Sequence, residues 1–222
     1  MSSNATASSR WRLYVIVDRA AAGSRDLAEL AAAAIRGGAD VIQLRDKTAS
    51  DEALLREAKR LLRVTRAAGV PLIVNDRPEV AQAVGADGVH LGQDDLGLAA
   101  ARALLGPNTI LGKSTHSLEQ AMAAEAEGAD YIGCGPIFAT PTKPGYGNVG
   151  LALIGRVIER VSVPVVCIGG IDERTLPRVL AAGAERAAVV RAVCGAPDPE
   201  SAARALKERL RQASRANAAP PV

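Results

Sequence analysis

A chain of 222 residues that is 48% hydrophobic but only 2% aromatic suits one domain with a core of Ala, Val, Leu and Ile, the residues that fill parallel α/β interiors. Its formal net charge of +3 comes with no dense Lys/Arg run and few rings for base stacking, which argues against a nucleic-acid partner but suits phosphorylated small molecules. Cys134, Cys167 and Cys194 form no CxxC or Cys/His cluster, so neither a zinc site nor a disulfide framework is expected, and each is read as a small apolar residue in or beside a strand. Residues 1–10 lack the apolar stretch of a signal peptide and no run is long enough to span a bilayer, so a cytoplasmic protein is expected.

Along the chain, short β-rich runs alternate with longer Ala/Leu/Arg runs. Strands are predicted at Leu13–Val17, Val41–Arg45, Pro71–Val74, Gly88–Leu91, Ile110–Gly112, Tyr131–Cys134, Val163–Ile168 and Ala187–Val190. Helices are predicted at Asp26–Arg36, Asp51–Ala68, Pro78–Val84, Leu96–Leu105, Leu118–Glu127, Ala152–Arg160, Glu173–Ala182 and Glu200–Ala213. A theme recurs at helix-to-strand junctions as Gly38-Ala39-Asp40, Gly85-Ala86-Asp87 and Gly128-Ala129-Asp130, and more loosely as Gly183-Ala184-Glu185. Glycine there suits the left-handed end of a helix. Eight βα units imply a parallel sheet, and eight point to a single closed (β/α)₈ TIM barrel rather than an open flavodoxin-like sheet. The barrel would occupy residues 11–213, between disordered tails at 1–10 and 214–222.

In such a barrel the chemistry gathers at the C-terminal ends of the strands. The second strand ends in Gln43-Leu44-Arg45-Asp46-Lys47, and period-2 alternation sets Gln43, Arg45 and Lys47 on one side, with a guanidinium fork and an ammonium suited to phosphate oxygens. The third ends in Asn75-Asp76-Arg77 and the fourth in Gly92-Gln93-Asp94-Asp95, so Asp76 and Asp95 are the candidate pair for Mg²⁺, which takes one or two carboxylates plus phosphate oxygens and water. One acid of the second cluster, Asp94, is expected to cap the helix beginning at Leu96. The fifth strand runs into Lys113-Ser114-Thr115-His116, and His90 reads as a packed or hydrogen-bonded strand residue rather than a base. The long aperiodic stretch Gly135–Gly147 reads as a binding loop offering Thr140, Thr142 and Lys143. Gly169-Gly170 and Val190-Arg191 end the last two strands, where barrels often hold a phosphate. Two anionic groups would therefore sit in one site. No cysteine or serine–histidine pair stands out as a covalent nucleophile.

These segments together resemble the thiamine-phosphate synthase family, from about Leu13 to Leu210: Gln-Leu-Arg-Asp-Lys, Asn-Asp-Arg, His-Leu-Gly-Gln-Asp-Asp and Gly-Pro-Ile-Phe-Ala-Thr-Pro-Thr-Lys occur in family order. The resemblance implies a transferase that condenses a hydroxymethylpyrimidine diphosphate with a hydroxyethylthiazole phosphate, or its carboxylated form, giving thiamine phosphate and pyrophosphate through a dissociative, carbocation-like displacement. It implies substrate binding by Gln43, Leu44, Arg45, Asp46, Lys47, Asn75, Ser114, Thr140, Pro141, Thr142, Lys143, Gly170, Val190 and Arg191. Within that set Arg45, Lys47, Ser114 and Lys143 would be catalytic, with Mg²⁺ on Asp76 and Asp95. Many members carry Ser where this chain has Arg191. The alternatives are a thiazole tautomerase, with His116 the nearest acid/base, and a non-catalytic phosphate-binding regulatory barrel.

Overall fold

The computed structural model describes residue 8, residues 10–140 and residues 147–218, with side chains described as far as Ser214. Parallel strands β1 (Leu13–Asp18), β2 (Val41–Arg45), β3 (Leu72–Asn75), β4 (Gly88–Leu91), β5 (Ile110–Thr115), β6 (Tyr131–Cys134), β7 (Val165–Ile168) and β8 (Ala187–Val189) pair in sequence order. Hydrogen bonding of β1 to β8 closes the ring and excludes the open sheet. The helices are α1 (Arg19–Ala22), α2 (Leu27–Arg36), α3 (Asp51–Ala68), α4 (Pro78–Val84), α5 (Leu98–Leu105), α6 (Leu118–Ala126), α7 (Ala152–Ile158), α8 (Leu176–Ala181), α9 (Arg191–Cys194) and α10 (Pro199–Ala218). The short turns α1 and α9 follow strand ends directly and were not foreseen. Cys194 lies in α9 rather than beside a strand, its Sγ donating to the Ile16 carbonyl at 3.3 Å.

Local chemistry explains the elements. In α3, Ser50 accepts from the Ala53 N–H, Asp51 and Glu52 occupy the positive first turn, and Gly69 takes the left-handed conformation that ends the helix. Its buried Leu54, Ala58, Leu61, Leu62 and Thr65 recur at helical spacing and face the barrel. The helix expected from Leu96 instead starts at Leu98 with Gly97 at its N-cap, so neither Asp94 nor Asp95 caps it.

The Gly-Ala-Asp theme has a definite task. Asp40 Oδ2 accepts from the N–H groups of Arg12 and Leu13 at 2.7 and 2.8 Å, Asp87 Oδ2 from Leu72 at 2.8 Å, and Asp130 Oδ2 from Leu111 at 2.9 Å. Each aspartate thus satisfies the opening donors of the preceding strand, at β1, β3 and β5. The looser copy does not repeat this: Glu185 pairs with Arg186 at 3.3 Å. Two residues placed in the tails are also held in the structure: Ser8 Oγ donates to the Asp130 carbonyl at 3.0 Å, and Ser214 accepts from Arg12 Nε at 3.0 Å.

Alternation along the strands produces two cores. Outward residues such as Leu13, Val15, Val17, Ile42, Leu44, Leu72 and Val74 pack under the helices. Inward ones, Tyr14, Ile16, Val41, Ile73, Ile110, Tyr131, Val166 and Ala188, fill the lower barrel with Trp11. Trp11 meets Tyr131 and Tyr14 edge-on, with centroids 5.3 and 5.9 Å apart, and stops the barrel from below. Gly112 makes this packing possible, because a Cβ there would lie 2.2 Å from the Tyr131 ring.

Candidate active site

Above that floor the barrel opens into a cavity of about 360 Å³ at the C-terminal ends of the strands, within the range of small-molecule sites. Gln43, Arg45, Asn75, Ser114, Thr140, Gly170, Val190 and Arg191 line it, as the sequence led us to expect. Of the others, Lys47 and the expected metal pair Asp76 and Asp95 are not among its lining residues, and two more face elsewhere. Leu44 is fully buried in the outer core, so its side chain is no part of the cavity. Asp46 folds its own loop: Oδ1 accepts from Thr48 N–H and Oγ1 and from Ala49 N–H, at 3.0, 2.9 and 3.1 Å. Burial raises the Asp46 carboxyl, but these donors outweigh it and leave it below its ordinary value. Pro141, Thr142 and Lys143 lie outside the described residues.

The cation–anion pattern at the rim is explicit. Arg45 is ion-paired through Nη1 to Asp18 Oδ2, with side chains only 12% and 3% exposed, and Asp18 also caps α1 by accepting from the Ala21 N–H at 2.9 Å. Lys47, more exposed, sets its Nζ 3.0 Å from Asp76 Oδ2. Asp76 has φ +61°, the one positive φ of a non-glycine among the described residues, which turns its carboxylate toward Asp95. Asp95 in turn accepts from the Gly92 N–H at 2.6 Å. Burial pushes Asp76 up, but Lys47 and then the hydrogen bond with Asp95 overcome it and hold the carboxyl below its ordinary value. Burial, and then the neighbouring Asp76 charge, keep Asp95 above its ordinary value despite the Gly92 donor.

On the opposite wall, Gly169 and Gly170 have φ of +101° and +62°. A Cβ on Gly170 would sit 2.7 Å from that of Phe138, and one on Gly169 2.4 Å from that of Pro136. The pair lets the β6–α7 segment lie across β7, where Ile137 and Phe138 N–H groups donate to the carbonyls of Ile168 and Gly169 at 2.8 and 3.1 Å. Gly169, Gly170, Val190, Arg191 and Ala192 form one edge of the cavity, with Arg191 exposed.

Two cavity residues, Tyr14 and Tyr131, and beside them Asp18, escaped the sequence reading, and His116, named there only for the tautomerase alternative, also lines the cavity. Asp18 was within reach of the rule that found Asp76, since it is the acid at the end of the first strand. His116 Nδ1 meets the Gly135 carbonyl, which fixes the ring against the β6–α7 segment. His90 is the hydrogen-bonded strand residue expected, but it also meets Ser114 Oγ at 2.9 Å, so a serine–histidine pair does exist. Burial raises the thiols of Cys134 to about 12 and Cys194 to about 11, which leaves neither as a thiolate at neutral pH.

Comparison with known proteins places these features together. A family model described as thiamine monophosphate synthase matches residues 13–193. The thiamine-phosphate synthase of Roseiflexus castenholzii is 50% identical over 200 residues, covering 90% of this chain and 88% of that one. That of Shouchella clausii is 47% identical over 205 residues, covering 92% and 98%. The solved thiamine phosphate pyrophosphorylase of Pyrococcus furiosus superposes with a TM-score of 0.85 at 37% identity, covering 93% of this chain and 98% of that one.

Proposed function

The chain belongs to the thiamine-phosphate synthase family, and from that premise we propose that it condenses a hydroxymethylpyrimidine diphosphate with a hydroxyethylthiazole phosphate, releasing pyrophosphate and leaving thiamine phosphate. The observation that carries this reading is the juxtaposition of one cavity with two differently built anion regions. Arg45 in the cavity wall and the Lys47, Asp76 and Asp95 group that follows Asn75 at its rim form the first, and the Gly169-Gly170 and Val190-Arg191 edge the second. A diphosphate and a monophosphate call for such a division.

The side-by-side carboxylates Asp76 and Asp95 fit a hard divalent cation, because they are held together at a cost that a bound cation would remove. They would hold Mg²⁺, which when bound neutralises diphosphate oxygens and improves pyrophosphate as a leaving group. Arg45, held by Asp18, and Lys47 add cationic donors aimed where negative charge grows as the C–O bond breaks. The electron-rich aminopyrimidine spreads the positive charge left on its methylene carbon, and the thiazole nitrogen attacks that carbon. Gln43, Asn75 and Ser114 would orient the pyrimidine. Thr140, Thr142, Gly170, Val190 and Arg191 would hold the thiazole phosphate, with Pro141 beside them, and Lys143 would join the diphosphate. A tautomerase moves a proton at carbon and needs no diphosphate, so it would leave the Lys47-paired acids without the metal-bound anion that suits them.

The test is formation of thiamine phosphate from the two substrates, with each omitted in turn. Product only when both are present supports the proposal. Conversion of the thiazole phosphate alone would replace it with the tautomerase.

A further inference from the structure

The floor of the cavity carries an unbroken hydrogen-bond chain through five side chains from five strands of the barrel, β1, β2, β4, β5 and β6. Gln43 Nε2 meets Tyr14 Oη at 2.7 Å, Tyr14 Oη meets Tyr131 Oη at 2.9 Å, Tyr131 Oη meets His90 Nδ1 at 2.9 Å, and His90 Nε2 meets Ser114 Oγ at 2.9 Å. Register puts all five on the inward face: Gln43 lies two residues below Arg45 on β2, His90 is opposite Gly112, and Ser114 is opposite Gly133. Both end residues and all three links between them line the cavity.

With the Gln43 amide presenting Nε2 to Tyr14, one sense of this chain uses every proton within it. Gln43 Nε2 can only donate, so Tyr14 Oη accepts from it, and the one Tyr14 hydroxyl proton is left for Tyr131. In that sense Tyr131 accepts from Tyr14 and gives its proton to His90 Nδ1, 2.9 Å away. A neutral imidazole that accepts at Nδ1 carries its proton on Nε2, and so donates to Ser114 Oγ. Burial raises both phenols well above their ordinary value, so each keeps its proton. The consequence appears at the two ends. In this sense Ser114 accepts from within the protein, which leaves its own O–H for the cavity that both residues line, and Gln43 is left with Oε1 as its acceptor. Because every link has one proton, neither end can change without the other: reversing the Gln43 amide would reverse all four bonds.

We propose that Tyr14, Tyr131 and His90 are positioning residues that lock Gln43 as an acceptor and Ser114 as a donor toward the ring of the substrate, which selects a pyrimidine bearing both an amine N–H and a basic ring nitrogen over its oxo counterpart. The substrate part of this inference rests on the function proposed above; the sense of the chain does not. In this sense His90 donates to Ser114 and cannot remove its proton, so the serine–histidine pair is a binding device and no nucleophile.

The chain has only two histidines, which makes the imidazole nitrogens readable by ¹⁵N NMR of histidine-labelled protein, with His116→Gln to assign them. Without substrate, the account requires His90 to be protonated at Nε2 and bare at Nδ1; a proton on Nδ1 would overturn it whatever the enzyme's activity. Tyr131→Phe, which keeps the ring and its packing, should free the tautomer and raise KM for the pyrimidine diphosphate about tenfold, the worth of one oriented buried hydrogen bond. KM for the thiazole phosphate should stay as it is. Tyr14→Phe should act in the same direction on the same substrate. Equal shifts in both KM values, or none in either variant, would remove the positioning role. If the wild type forms no thiamine phosphate while His90 shows the Nε2 tautomer, the functional reading has failed and the chain stands.

Discussion

Replacing Asp95 with asparagine separates stability from metal use. The substitution keeps an oxygen to accept from the Gly92 N–H but removes a charge that burial and Asp76 disfavour. Two unit charges about 4 Å apart repel by ~1 kcal/mol in water and ~4 kcal/mol near a protein surface. Asp95 is half-buried, and Lys47 at 3.0 Å from Asp76 cancels much of the repulsion, which sets the expected gain at about 1 kcal/mol. For a domain of this size that is a rise in Tm of roughly 2–4 °C. The sign with pH follows from the raised Asp95 carboxyl: its stabilising contribution is complete below the unfolded value near 4 and is lost as pH rises through the folded one. The advantage of Asp95→Asn is therefore present at neutral pH and disappears in acid. Thermal denaturation in a chelator, then across a Mg²⁺ titration with pyrophosphate present, reads both effects. The wild type should gain Tm with Mg²⁺ and overtake the variant, which should not respond. An unchanged or lower Tm for Asp95→Asn in chelator, a wild type that does not respond to Mg²⁺, or a variant that responds as the wild type does, would refute the paired-carboxylate reasoning.

Other substitutions probe separate parts of the site. Asp76→Ala should cut turnover at least a hundredfold while far-UV circular dichroism stays that of the wild type; persisting activity at ordinary Mg²⁺ would remove Asp76 from the metal site. Asp18→Asn keeps the α1 cap but leaves the Arg45 guanidinium without its anion, so stability should fall by about 2 kcal/mol, between the cost of an exposed and a fully buried broken pair, and KM for the diphosphate should rise; urea unfolding and steady-state kinetics check the two. Leu44→Ala should cost about 3 kcal/mol by urea unfolding with both KM values unchanged, since its side chain lies wholly in the outer core. Gly170→Ala should destabilise by about 1–3 kcal/mol through its positive φ and the contact with Phe138, measured as a loss of Tm.

The barrel was legible because period-2 runs alternated with helical ones eight times, and because three aspartates recurred at the same junction for a physical reason that the structure supplies. Boundaries were lost where a strand turns polar. The fifth strand continues through Lys113, Ser114 and Thr115, which pair with Ile132, Gly133 and Cys134, because the inward side of its upper end faces a cavity rather than a core. The seventh begins later than expected, since Ser162 and Val163 N–H groups donate to Glu125 Oε1 instead of to a strand.

The site was legible where one strand end concentrates charge, as at Gln43–Lys47, and illegible where function is shared among distant strands. Tyr14 and Tyr131 read as ordinary aromatic strand residues, and only closure of the barrel brings their hydroxyls to 2.9 Å and joins them to Gln43, His90 and Ser114. Alternation also carried a warning about Leu44: the same period that put Gln43 and Arg45 inside put the residue between them outside.

The central claim is tested most directly by pyrophosphate release from purified protein mixed with the pyrimidine diphosphate and the thiazole phosphate, first with Mg²⁺ and then with a chelator. The account predicts release that requires both substrates and stops with the chelator. Release from the pyrimidine diphosphate alone at the same rate, or none with both substrates and Mg²⁺ present, would contradict it.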